Sequence, residues 1–157
     1  MEGSAFRESR PVAYVAIADV QARVRVTASL ERDGWLVLTH PSGFHLLQAI
    51  SDMIDDSHPS PGPTLIVVDA YARGCAGTTI AAGLRDLGIE VPIVLITTPD
   101  QVPPLRTADS LRVVDTHAAS DEVAALAQSV CARSGGRSVS REEDRDDDRS
   151  ARAAEIT

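Results

Sequence analysis

Residues 64–77 read TLIVVDAYARGCAG, and this stretch decides the fold. Leu65–Val68 is an unbroken run of branched aliphatic side chains. A strand with one wet face alternates apolar and polar residues, whereas a strand covered on both faces, as in a parallel sheet, has no reason to alternate. The run stops on a carboxylate, Asp69, and gives way to a loop of small residues in which Arg73 is the one charge. Working outward, comparable apolar runs occur at Val12–Ile17, Trp35–Thr39, Ile93–Ile96 and Leu111–Val114. VAYVAI and IVLI also lack alternation.

Helix-period segments lie between these runs. Val20, Val24 and Ala28 stand four residues apart and predict one buried stripe. Leu46, Leu47, Ile50, Met53 and Ile54 make a second, and Ile80, Leu84 and Leu87 a third. Val123, Leu126, Ala127, Val130 and Cys131 make the last, which opens on Asp121 and Glu122, where the helix dipole favours negative charge. Gly34 and Gly88 fall where C-terminal caps belong. Only Pro99–Asp109, with Pro99, Pro103 and Pro104, resists a full-length helix. Strands alternating with helices predict an α/β fold: a parallel sheet of five strands, doubly wound, in the flavodoxin-like order 2-1-3-4-5.

Composition sets the boundaries. With 157 residues, 43% of them hydrophobic, the chain can bury one ordinary core. The reading divides it into an N-terminal extension (1–10), a folded domain (11–133) and a charged C-terminal tail (134–157) expected to be disordered. In that tail Arg137, Arg141, Arg145 and Arg149 are spaced for pairing with carboxylates at roughly 0.2–0.5 kcal/mol each, but the run Asp146–Asp148 opposes a helix. The net charge of −8 argues against nucleic-acid binding, which needs clustered cations. No apolar stretch approaches the roughly 20 residues of a membrane span, and no secretory signal opens the chain, so a cytoplasmic location is expected. Cys75 and Cys131 lack metal-ligand spacing and predict reduced, core-compatible thiols. All fifteen basic residues are arginine; the chain has no lysine.

The strand ends carry the chemistry. The first strand ends at Ala18-Asp19, the third at Asp69, the fourth at Thr97-Thr98 and the fifth at Asp115. In a 2-1-3-4-5 sheet Asp19 and Asp69 come from adjacent strands and converge on one edge. Two carboxylates there repel unless a hard cation such as Mg²⁺ lies between them. Either aspartate can equally serve as a turn or cap residue, and Asp115 as a cap for the last loop. His40, His45, His58 and His117 are scattered and predict no metal site.

From Val12 to Arg133 the chain resembles a response-regulator receiver domain of bacterial two-component signalling. GWLVLTHPSGFHLLQAI is similar to the family's second strand, turn and second helix, including the glycine before that helix. TLIVVDAYARGCAG is similar to the third strand, with its acceptor aspartate and a glycine eight residues on, Gly77. VPIVLITT is similar to the fourth strand with its hydroxyl position. The resemblance implies that Asp69 accepts a phosphoryl group from a sensor histidine kinase or phosphotransfer protein. It implies Asp19, Asp69 and the backbone carbonyl of Tyr71 as Mg²⁺ ligands, and Thr97 as the switch hydroxyl.

The departures are as informative. The family's acidic pair after the first strand is here Ala18-Asp19, and its lysine at the end of the fifth strand is Asp115. Thr98 stands where a small residue is usual, Arg73 where a proline is, and Arg112 where an aromatic is. A carboxylate in place of a cation turns attraction for a phosphoryl group into repulsion, roughly 4 kcal/mol per unit-charge pair at about 4 Å and an effective dielectric of about 20. Arg73 is a candidate to compensate by reaching phosphoryl oxygens. The sequence therefore predicts a stand-alone receiver-like module, not an enzyme. It either accepts phosphate on Asp69 or acts as a degenerate receiver through contacts with a downstream protein partner. A homodimer is left open, with no nucleic-acid or membrane partner. The rival class is a flavodoxin-like small-molecule or nucleotide-binding domain, against which the first turn, ADVQARV, offers no glycine-rich phosphate cradle.

Overall fold

The computed structural model describes residues 10–55, 62–101 and 111–136. Five parallel strands, β1 (Val12–Ala16), β2 (Leu36–Thr39), β3 (Leu65–Asp69), β4 (Ile93–Thr97) and β5 (Leu111–Asp115), stand in the order β2-β1-β3-β4-β5. Among the described residues four helices accompany them: α1 (Val20–Arg32), α2 (Gly43–Ile54), α3 (Gly77–Asp86) and α4 (Ala119–Gly136). The doubly wound α/β fold is the one the strand pattern predicts. β3, β4 and β5 each run one residue beyond the apolar run, so Asp69, Thr97 and Asp115 are the last residues of their strands.

The missing alternation has its physical cause in two separate core layers. Ala13, Val15, Leu65, Val67, Val94 and Ile96 face α1 and α4, together with buried Trp35. The intervening Val12, Tyr14, Ile66, Val68, Ile93 and Leu95 face α2 and α3. β1 and β4 are therefore buried throughout and β3 as far as Val68, whereas the edge strands β2 and β5 keep exposed residues such as Leu36 and Arg112.

The helices correct several expectations. On α1 the buried stripe is Ala22, Val26 and Leu30, whereas Val20 and Val24 are 55% and 57% exposed. Both sets repeat every four residues. The core takes the one that ends in Leu30, the largest apolar side chain on the helix. Leu47 and Ile54 of α2 and Leu87 after α3 are likewise exposed, while Leu46, Ile50, Ile80 and Leu84 are buried. On α4, Val123, Ala127 and Val130 are buried and Leu126 is partly buried. Both cysteines are free thiols: Cys75 is half-buried and packs against the α2–α3 layer, whereas Cys131 is exposed and lies outside the core.

Gly34 and Gly88 have φ of 88° and 70°, the left-handed conformation that terminates a helix at little cost only with glycine. α4 runs three residues past Arg133, to Gly136. The expectations for residues 1–9, for the tail from Arg137 and for Pro103 and Pro104 lie outside the described residues. After β4 the chain makes a turn in which the Gln101 N–H donates to the Thr98 carbonyl at 3.0 Å. No helix among the described residues is long and apolar enough to cross a membrane.

Candidate functional site

Because the strands are parallel, their carboxyl ends share one edge of the sheet. β1 and β4 flank β3, which brings Ala18-Asp19, Asp69 and Thr97 to that edge. Register places Asp69 opposite Ile96, and Thr97 opposite Asp115.

Asp69 is half-buried, and its Oδ2 accepts a hydrogen bond of 2.6 Å from the Ala18 backbone N–H. Burial pushes its carboxyl above the ordinary carboxylate range; the Ala18 N–H opposes this and the nearby charge of Asp19 adds to it. The two aspartates therefore interact electrostatically, as expected of adjacent strand ends. Their hydrogen bonds differ. Asp19 is the N-cap of α1, with Oδ1 accepting from the Ala22 N–H at 2.7 Å. Sequence reasoning admitted this cap beside the metal-ligand role. It did not foresee that the residue in the family's first acidic position would act through its backbone amide, a group that no side-chain pattern reports.

Thr97 is buried, and its hydroxyl hydrogen-bonds within its own turn, to the Gln101 carbonyl at 2.5 Å and the Thr98 carbonyl at 3.1 Å. Thr116 then ties β5 to β4, its N–H and hydroxyl both donating to the Thr97 carbonyl, at 2.9 and 3.0 Å. Asp115 Oδ1 accepts from the His117 N–H at 2.7 Å, so this carboxylate caps the loop into α4. Tyr71 sits at a corner of the turn that the Ala72 N–H closes on the Asp69 carbonyl at 3.2 Å, and its side chain is exposed. Arg73 is exposed on the same loop. Arg23, which the sequence reading passed over, donates from Nη1 to the Ile17 carbonyl at 3.2 Å, holding a guanidinium beside the end of β1.

These donors make a sparse oxygen set for a divalent cation. Each of the two carboxylates already gives one oxygen to a backbone N–H. Among the described residues no three His, Cys, Asp or Glu side chains come together as a metal-binding group. Mg²⁺ demands near-octahedral oxygen coordination, and with so few protein ligands it depends on water and substrate oxygens.

No protein-family model and no curated protein matches the sequence. Solved structures do match the fold. A response-regulator receiver domain protein of Bacillus halodurans aligns with a TM-score of 0.60 at 14% identity, over 77% of this chain and 97% of its own. A Francisella response-regulator receiver domain aligns with a TM-score of 0.60 at 16% identity, over 80% and 99%. A CheY-like receiver domain protein of Methanospirillum hungatei aligns with a TM-score of 0.51 at 14% identity, over 77% and 97%. The chain has the receiver-domain fold.

Proposed function

We propose that the chain is a receiver-like signalling module of the degenerate kind, acting through protein contacts, in which phosphate on Asp69 is disfavoured. The observation that carries this reading is the set of groups around Asp69. The Ala18 N–H binds its carboxylate where the family has a second acid, and Asp115 stands at the end of β5 where the family has its lysine. With no lysine in the chain, no side-chain ammonium can take that place.

On this reading Mg²⁺ is held weakly, through Asp19, Asp69 and the Tyr71 carbonyl, and chiefly by its own water. Thr97 acts as a fastening of the β4 turn before it acts as a switch. Asp115, at the end of β5, supplies no cation to the dianionic group that an acyl phosphate would place at Asp69. A sensor histidine kinase or phosphotransfer protein remains the natural upstream contact for this fold, and a downstream protein its output. On this reading the chain's role is recognition by its partners and not catalysis of an independent reaction.

The test is acetyl phosphate at millimolar Mg²⁺, followed by intact mass, with beryllofluoride and NMR shifts as a second probe. Poor labelling and no saturable beryllofluoride shift are expected. Stoichiometric phosphorylation at Asp69 would overturn the reading.

A further inference from the structure

The loop that follows Asp69 does not hang free; it lies against the first turn of α2. A Cβ added at Gly43 would meet the Cys75 carbonyl oxygen at 1.8 Å and the Ala72 Cβ at 3.1 Å. Gly74, at φ 84°, lies so close to α2 that a Cβ there would stand 2.9 Å from the Cβ of Phe44. At the far end of the loop a Cβ on Gly77 would stand 2.5 Å from the Asp69 carbonyl oxygen. Gly43 and Gly74 thus let the loop and α2 approach more closely than a side chain permits, and Gly77 does the same for the loop's return to the Asp69 carbonyl. α2 is anchored independently at the same point, because Ser42 caps it by accepting from the His45 N–H, and Leu46 and Ile50 fix it in the core.

The geometry points to Gly43 and Gly74 as positioning residues that lock the Asp69 loop to α2, so that a change at Asp69 displaces the first turn of α2. Close-packed backbone contact transmits a displacement because neither side has soft side-chain atoms that could absorb it. The segment moved is Gly43–Leu47, which carries the exposed side chains Phe44 and Leu47. Asp69 has one further tie, through the Ala18 N–H, to the start of α1. The inference rests on the proposed function only in taking Asp69 as the residue whose state matters. It is independent of whether that state is a phosphate.

The test is an amide chemical-shift map of the full chain with Asp69→Asn, which alters the charge and needs no metal or phosphate. Shifts are expected at Ala18 and Asp19 and, beyond them, at Gly43, Phe44 and His45, larger than anywhere in α4. A map confined to the ends of β1, β3 and β4 overturns the coupling and leaves the phosphorylation result untouched. In the reverse direction, Gly43→Ala should move the Ala18 amide, while Gly83→Ala, where a new Cβ meets nothing within 4 Å, should not. An unmoved Ala18 in folded Gly43→Ala, or an equal shift in Gly83→Ala, also overturns it. Should Gly43→Ala not fold, the Asp69→Asn map decides alone.

Discussion

Replacing Leu30 and Val24 by alanine, one at a time, tests which face of α1 meets the sheet. Leu30 is fully buried in the core layer that also holds Trp35 and the buried face of α4. Truncation removes its transfer free energy and leaves a cavity that a close-packed layer fills only partly, so the cost is about 3 kcal/mol, within the usual range of roughly 2–5. For a domain of this size that is roughly a 10 °C fall in Tm. Val24 is 57% exposed, so its truncation should stay within about 0.5 kcal/mol, and alanine's better helix propensity tilts it towards a gain. Urea unfolding followed by the fluorescence of Trp35, the only tryptophan, measures both. Equal losses in the two variants, or a larger loss in Val24→Ala, would mean that α1 is rotated. The N-cap of Asp19 and the Ala18–Asp69 bond would then fall with it.

Asp69→Asn keeps an acceptor for the Ala18 N–H and removes a half-buried charge. The native carboxyl holds its proton to higher pH than the unfolded one, so Asp69 costs stability above its native pKa and nothing below the ordinary carboxylate range. The variant should therefore be more stable than wild type at neutral pH, with the gap closing below about pH 4; a gap that does not change with pH would contradict this. His40 works in the opposite direction. Burial first, and His45 second, hold its pKa below the ordinary value, and its Nε2 is buried without a partner among the described residues. Stability should fall as pH drops through about 6.5, and His40→Gln should flatten that slope in urea titrations at pH 7.5 and 5.5. In thermal melts, Gly34→Ala, at φ 88°, should cost about 1–2 kcal/mol, and Gly83→Ala, inside α3, should gain about 0.5–1 kcal/mol.

Much of the fold was legible because parallel strands covered on both faces leave a plain trace. VAYVAI, LIVV and IVLI could not alternate, and Gly34 and Gly88 marked helix ends. The helix faces were less legible. α1 carries two apolar stripes of the same period, and periodicity alone does not say which one the sheet will take. At the site, the edge that gathers Asp19, Asp69, Thr97 and Asp115 followed from strand order. What they bond to followed only in part: the caps at Asp19 and Asp115 were open to the sequence, the partners of Asp69 and Thr97 were not. Asp19 and Asp115 turn to backbone N–H groups three and two residues ahead, and the Thr97 hydroxyl turns to a carbonyl four ahead. The Ala18 N–H and the Gly43–Cys75 approach are backbone contacts between distant segments, and these leave no trace in side-chain spacing.

The central claim is that the groups around Asp69, and not the fold, disfavour phosphate there. The most direct measurement compares wild type with the double variant Ala18→Asp, Asp115→Lys for the fraction of chain labelled by acetyl phosphate at millimolar Mg²⁺, read by intact mass. The variant restores a second acid at the end of β1 and a cation at the end of β5. The account predicts sparse labelling of wild type and a clear rise in the variant, abolished by adding Asp69→Asn. Wild type already labelled to stoichiometry, with no gain from the double change, would contradict it.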